Sequence, residues 1–439
     1  MTYLRLLPLP MALTFALAFP AQAQSLTELY QAAKAFDASY QSAKAQFDAT
    51  LAKGEQARAG LFPSANLALG VNRTNITSDQ ATFEKSYGNQ NIALNASQPL
   101  YRPANSATAE QGKKQAELAQ AQLQAAEQDL IVRVSQGYFD VLAAQDNLSF
   151  VRAQKSAVTE QLASAKRNFE VGTATITDTR EAQARFDLVL AQEIASENDL
   201  RVKGLALDQL TGKSATAPWP VVTPLALPVV EPADVANWVT QSEETHPTVR
   251  QAKLGLEVAQ LETQKAQAGN KPTLDLTGSY NITQNNGSVN TNIDYRTNVA
   301  SLGLSFNLPL FAGYAIQNRI KETLALEEKS RSDLDAARRG VAQATRAAFY
   351  GVHSAQGQVK ALEAAEASSQ SAVDANKLGY QVGVRINIDV LNAQSQLFDT
   401  KAKLAKARYD VLVGGLKLRQ ANGTLKEDDL NAVNALLVK

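Results

Sequence analysis

The chain is built twice. Ala59-Gly60-Leu61-Phe62-Pro63 returns as Ala268-Gly269-Asn270-Lys271-Pro272, and Pro99-Leu100-Tyr101 returns as Pro309-Leu310-Phe311. Val171-Gly172 returns as Val382-Gly383, and Asp178-x-x-x-Ala182-Gln183 as Asp389-x-x-x-Ala393-Gln394. The offset drifts only from 209 to 211 positions along the chain, so both halves must adopt one architecture. Prolines 218, 220, 224, 228 and 232 crowd the stretch between the copies, and residues 213–234 read as a linker.

Each copy holds one hairpin of period-two strands. Ala65, Leu67, Leu69 and Val71 alternate with polar or small residues, as do Ile92, Leu94 and Ala96. The second copy repeats the pattern with Leu274, Leu276, Tyr280 and Ile282, then with Leu302, Leu304, Phe306 and Leu308. One face is apolar and the other wet, over about the 9–11 residues that cross an outer membrane. Polar loops are expected over 73–87 and 284–295. Phe62, Tyr101 and Phe311 are expected at one strand end and Tyr87, Tyr280 and Tyr295 toward the other, as two aromatic girdles. Four strands cannot close a membrane barrel, which needs about eight, so several chains would have to share one.

The rest of each copy is helical. Proline is absent between Pro103 and Pro218 and again after Pro309. Residues 104–170 predict a single helix about 100 Å long at 1.5 Å per residue, with a counterpart over 314–381. Ala119, Leu123, Ala126, Leu130 and Val134 mark one stripe, and Leu397, Leu404 and Val411 recur every seven. Two shorter helices per copy, 25–60 with 173–211 and their counterparts, match the long helix when laid end to end. Ser25-x-x-Glu28 predicts a capping box at the first of them. The turns at Val171-Gly172 and Val382-Gly383 then lie at the far tip from the strands.

Composition removes most chemistry. Lys+Arg and Asp+Glu are both 43, so no charge excess points to nucleic acid. Cysteine is absent and only His246 and His353 are present, which leaves little material for nucleophiles, general bases or metal ligands. Both histidines read as surface residues. Gly212-Lys213-Ser214 imitates the end of a phosphate loop, but Leu207 stands where its first glycine belongs. The sequence predicts no enzyme, no cofactor and no metal site. Residues 1–23 read as an export signal: Arg5, an apolar run, then Ala21-Gln22-Ala23 for cleavage.

The resulting fold class is mainly α with a small β part and an internal two-fold repeat. Its segments are an upper helix at 24–61, a hairpin at 62–101 and a tip helical hairpin at 102–212. After the linker come an upper helix at 235–271, a hairpin at 272–311, a tip hairpin at 312–423 and a C-terminal helix at 424–439.

These features resemble the TolC family of outer-membrane efflux and secretion channels across essentially the whole chain past the signal. The most specific passages are the tips, 168–178 and 379–393. The resemblance implies a homotrimer in outer-membrane lipid, with three chains of four strands closing a twelve-stranded barrel. It further implies a periplasmic α-barrel of coiled-coil-like helices. Its partners would be a periplasmic adaptor (a membrane fusion protein) and an inner-membrane RND or ABC transporter. By motif position the gate ties would be Asp178, Tyr380 and Arg385, and the selectivity ring Asp389 with Asn392. The family's best-known members carry a second aspartate where this chain has Asn392, which halves the formal ring charge. Val171, Gly172, Val382 and Gly383 would be the tips that dock the adaptor. The competing class is a soluble periplasmic coiled-coil scaffold or adaptor, which has no need of two membrane-length amphipathic hairpins.

Overall fold

A computed structural model describes residues 24–78, 83–222 and 224–438. The predicted export signal lies outside the described residues. The first copy runs α1 (Leu26–Phe36), α2 (Ala38–Ala59), β1 (Ser64–Ser78), β2 (Phe83–Tyr101), α3 (Pro103–Glu170) and α4 (Ile176–Thr211). The second repeats that order as α5 (Val235–Thr245), α6 (Pro247–Ala268), β3 (Thr273–Asn286), β4 (Asp294–Asn307), α7 (Ala315–Gln381) and α8 (Asn387–Asn422), and α9 (Asp428–Asn434) closes the chain. The two long helices have 68 and 67 residues, each about 100 Å.

Both long helices begin and end where local chemistry dictates. Pro103 occupies the first turn of α3, where its missing N–H costs nothing. Glycines at +80° and +81° in φ, Gly172 and Gly383, then stop α3 and α7 one residue beyond their caps. α2 and α4 lie along α3, while α6 and α8 lie along α7, as the segment lengths predict. α2 reaches α3 closely because two glycines face each other: a Cβ on Gly112 would stand 2.8 Å from the Ala57 Cβ and 3.2 Å from the Gly54 Cα.

Each expected upper helix is in fact two. The first breaks at Asp37 and the second at His246, equivalent positions of the two copies. The Asp37 carboxylate accepts from the Tyr40 amide at 2.8 Å, and His246 Nδ1 accepts from the Thr248 amide at 3.1 Å. A side chain that caps the following helix ends the preceding one, and Pro247 reinforces the second break. His246 is therefore a half-buried cap and not a surface residue; burial lowers its pKa. His353 is exposed, as expected. The Ser25–Glu28 capping box forms, with both reciprocal bonds at 3.1 and 3.2 Å.

The core is a belt about the middle of the helices. Leu26, Leu29, Tyr30 and Ala33 of α1 pack on Leu130, Ile131, Val134, Tyr138 and Phe139 of α3, on Leu412 and Leu416 of α8, and on Leu430 of α9. The inter-repeat segment is part of this belt. Val222 N donates to Leu436 O at 2.9 Å and Val438 N to Pro220 O at 2.9 Å, fixing the segment against the C-terminus. Nearer the tip, a smaller cluster joins Val158, Leu162, Ala165, Ala182 and Leu391.

Candidate functional site

The four strands form one antiparallel sheet in the order β1-β2-β3-β4, so β2 and β3 join the two copies edge to edge. The register sorts the side chains rung by rung. Ala65–Ala96–Gly278–Leu302, Leu67–Leu94–Tyr280–Ala300 and Leu69–Ile92–Ile282–Asn298 line up across the sheet on one face. The opposite face carries Asn66–Asn95–Ser279–Ser301 and Gly70–Asn91–Thr283–Thr297. Opposed residues share a face and neighbours along a strand do not, so a slip of one residue would mix the two. The apolar run on β1, Ala65 to Val71, spans about 20 Å at 3.3 Å per residue, against about 25 Å for an outer-membrane apolar band.

The strands outrun the 9–11 residues expected: β1 has 15 and β2 has 19. Residues 73–78 and 83–87, expected as loop, continue the ladder, because backbone pairing does not require apolar side chains. The far aromatic girdle also differs. Tyr280 sits at mid-strand opposite Leu94, and Tyr87 and Tyr295 fall on the polar face by register. At the near end Phe62, Tyr101 and Phe311 are exposed, as are Phe306 and Tyr314. Asp275, on the wet face, is not free: Arg102, just before α3, grips it through Nε at 2.7 Å and Nη2 at 2.5 Å. That pair pins the base of the sheet to the head of the longest helix.

At the other end the two tips share one construction. Gly172 N donates to Phe169 O at 3.0 Å and Thr173 N to Asn168 O at 2.8 Å; Gly383 N donates to Tyr380 O at 3.2 Å and Val384 N to Gly379 O at 2.9 Å. A Cβ at either positive-φ glycine would meet nothing within 4 Å. The turns display apolar surface to solvent: Val171 is 73% exposed, Val382 65% and Val384 75%. Gly379 is different, since a Cβ there would meet the Arg385 Cγ at 2.7 Å. Arg385 lies folded over it.

Within one protomer the three expected ties do not meet as a set. The Asp178 carboxylate closes a capping box, accepting from the Thr175 amide at 2.9 Å and the Thr175 hydroxyl at 2.8 Å. Arg385 Nη1 faces Asp389 Oδ2 at 3.7 Å, four residues along, and the Tyr380 hydroxyl accepts from Asn168 Nδ2 at 3.1 Å. Asn392 Oδ1 accepts from Arg185 Nη2 at 2.6 Å. Sequence reasoning missed Asn168, Arg185, Gln161 and Asn387. The Thr175-x-x-Asp178 capping signature was readable and would have shown where the Asp178 carboxylate goes.

Among the described residues no helix is long and apolar enough to cross a membrane.

The family model described as "Outer membrane efflux protein" matches residues 29–213 and 238–424, one block per copy. The outer membrane protein TolC of Vibrio cholerae is 36% identical over 416 residues, covering 94% of each chain. The alkaline protease secretion protein AprF of Pseudomonas aeruginosa is 31% identical over 431 residues, covering 95% of this chain and 88% of that one. Among solved structures, CusC superposes with a TM-score of 0.80 at 17% identity, over 91% of this chain and 92% of that chain. With its duplicated helix–hairpin–helix plan, its face-sorted sheet and these matches to both copies, the chain belongs to the outer membrane efflux protein family, as an outer-membrane channel protein of the TolC type.

Proposed function

We propose that three copies of this chain form a passive exit duct. Their strands close one barrel in the outer membrane and their helices form a tunnel across the periplasm. The observation that carries this reading is the lone protomer's sheet. Leu302 is 80% exposed, Leu304 66% and Phe306 65%, and β1 and β4 are open edges. An unpaired edge beside an apolar face is stable only when further strands and lipid cover both.

At the periplasmic end, Val171, Gly172, Val382 and Gly383 receive a periplasmic adaptor, which links the duct to an inner-membrane RND or ABC transporter. Asp178, Tyr380 and Arg385 hold the aperture. The Arg385 guanidinium is exposed at the tip, and half-buried Asp178 takes both Thr175 bonds on Oδ2, which leaves Oδ1 for a neighbouring protomer. One exposed pair is worth about 0–1 kcal/mol, weak enough to open on engagement and strong enough when repeated around a three-fold axis. Asp389 lines the constriction as a ring of carboxylates, and Asn392, held by Arg185, adds no charge to it. AprF is named for protease secretion and the family for efflux, so both drugs and proteins are substrates the duct can carry.

Reconstitution into planar bilayers tests this. Crosslinked trimers should give cation-preferring steps, larger in Arg385→Ser with Tyr380→Phe and less selective in Asp389→Ala. Steps unchanged by either set would remove the gate, and crosslinking that stops at dimers would remove the shared barrel.

A further inference from the structure

The two tip hairpins differ in how their return helices begin. α4 starts on a complete capping box, Thr175 with Asp178. α8 has Ile386 at the equivalent place, with no side-chain cap. Its first residue, Asn387, has no exposed surface, and both ends of its amide are spent on the other hairpin. Asn387 Oδ1 accepts from Gln161 Nε2 of α3, and Asn387 Nδ2 donates to the Asp178 carbonyl of α4 at 3.3 Å. Val390 and Leu391, one turn on, are fully buried, and Leu391 packs with Leu162, Ala165 and Ala182. The start of α8 is therefore ordered by contacts across the seam and not by its own sequence. The flanking seam bonds also use side-chain amides: Asn168 donates to Tyr380 at 3.1 Å, Gln154 to Ser395 at 3.4 Å, and Asn392 accepts from Arg185 at 2.6 Å.

We infer that Asn387 is a positioning residue of the gate: it latches the second tip hairpin onto the first, so that closure within each protomer depends on a seam of side-chain amides. This rests on the duct reading above. A buried amide bonded at both ends is costly to leave unpaired, whereas the Arg385–Asp389 pair, with Arg385 59% exposed, is screened by salt. The latch fixes where α8 begins, and charged contacts act on a hairpin already in place.

Asn387→Asp tests the latch with a readout that a merely structural role would not move. In acid the buried carboxyl is neutral, accepts from Gln161 and donates to the Asp178 carbonyl, restoring both bonds. As the pH rises it ionises, loses the donor and faces that carbonyl as an anion. The nearby charged groups, Asp178 on α4, Arg385 and Asp389 on the second hairpin and Arg185 toward Asn392, are present in both proteins, so wild type serves as their control. Open occupancy of the variant trimer in bilayers should rise reversibly by about five-fold or more from acid to mild alkali, the effect of losing about one buried hydrogen bond per protomer, with wild type changing far less. If the variant does not assemble, Gln161→Met removes the donor from the opposite side and should give the same rise without pH dependence. Variant trimers that track wild type at every pH, or Gln161→Met trimers with wild-type occupancy, would overturn the latch alone. A wild-type trimer that conducts nothing would overturn the duct reading and the latch together.

Discussion

Tyr409 donates its hydroxyl to Asp146 at 2.6 Å, joining α8 of the second copy to α3 of the first. Phe139 stacks on the Tyr409 ring at 5.6 Å, so the tie is half enclosed in the belt of core side chains. Burial raises the Asp146 pKa, with the Tyr409 bond opposing it, and raises that of Tyr409 as well.

A carboxyl whose folded pKa lies above its unfolded value binds its proton more tightly when folded. Its stabilising contribution is full at low pH and is lost as pH rises through the folded pKa. Asp146→Asn keeps an acceptor for Tyr409 and removes the buried charge. It should stabilise the protein at neutral pH by about 1 kcal/mol and flatten this part of the pH profile. Melting of the detergent-solubilised protein from mild acid to neutrality checks it; a variant less stable than wild type at neutral pH would contradict it.

Asp37 gives the opposite sign. Arg133 donates to it through two nitrogens, at 2.9 and 3.0 Å, and these bonds hold the Asp37 carboxyl below its usual range. This contribution is present above the unfolded pKa and is lost as pH falls through the folded one. Arg133→Leu should cost about 1–3 kcal/mol at neutral pH and remove that acid-side loss. Identical acid profiles for variant and wild type would exclude Asp37 as its source.

The sheet register makes a paired prediction. Leu94 belongs to the apolar rung Leu67–Leu94–Tyr280, and Asn95, its neighbour in sequence, to the polar rung Asn66–Asn95–Ser279. Arginine on a lipid face at mid-membrane costs about 2–4 kcal/mol. Leu94→Arg should sharply reduce membrane-assembled trimer while Asn95→Arg leaves it nearly intact. Equal yields from outer-membrane fractions would mean the faces are reversed. Asp275 is a poor control here, because replacing it also breaks the grip of Arg102.

Gly172→Val and Gly383→Val probe the tips. Both glycines have φ near +80°, where a side chain costs about 1–2 kcal/mol, and a Cβ at either would meet nothing within 4 Å. The trimer should persist in the membrane while export fails. Export at the wild-type level in both variants would place adaptor docking elsewhere.

Much of this architecture is written locally. Proline-free stretches, a proline at a helix start and a glycine at each tip fixed the ends of α3 and α7 to within a residue, because helix starts and stops depend on chemistry within one turn. The apolar alternation likewise located the sheet's faces, since period two depends only on neighbours in the chain. The breaks at Asp37 and His246 were legible in part: Pro247 marked the second, but an aspartate between two helical stretches did not reveal the first.

What the sequence by itself determined is therefore the inventory and its direction: two copies, long helices, membrane-length apolar faces and glycine turns, all set by interactions over a few residues. The tertiary structure decided the partners. Asp178 spends its carboxylate on its own helix cap, Arg185 reaches Asn392, and Asn387 closes onto Gln161, more than 200 positions away. Such pairings depend on how four helices lie side by side at the tip. A polar side chain carries no local mark of which distant amide will satisfy it once both are taken out of water.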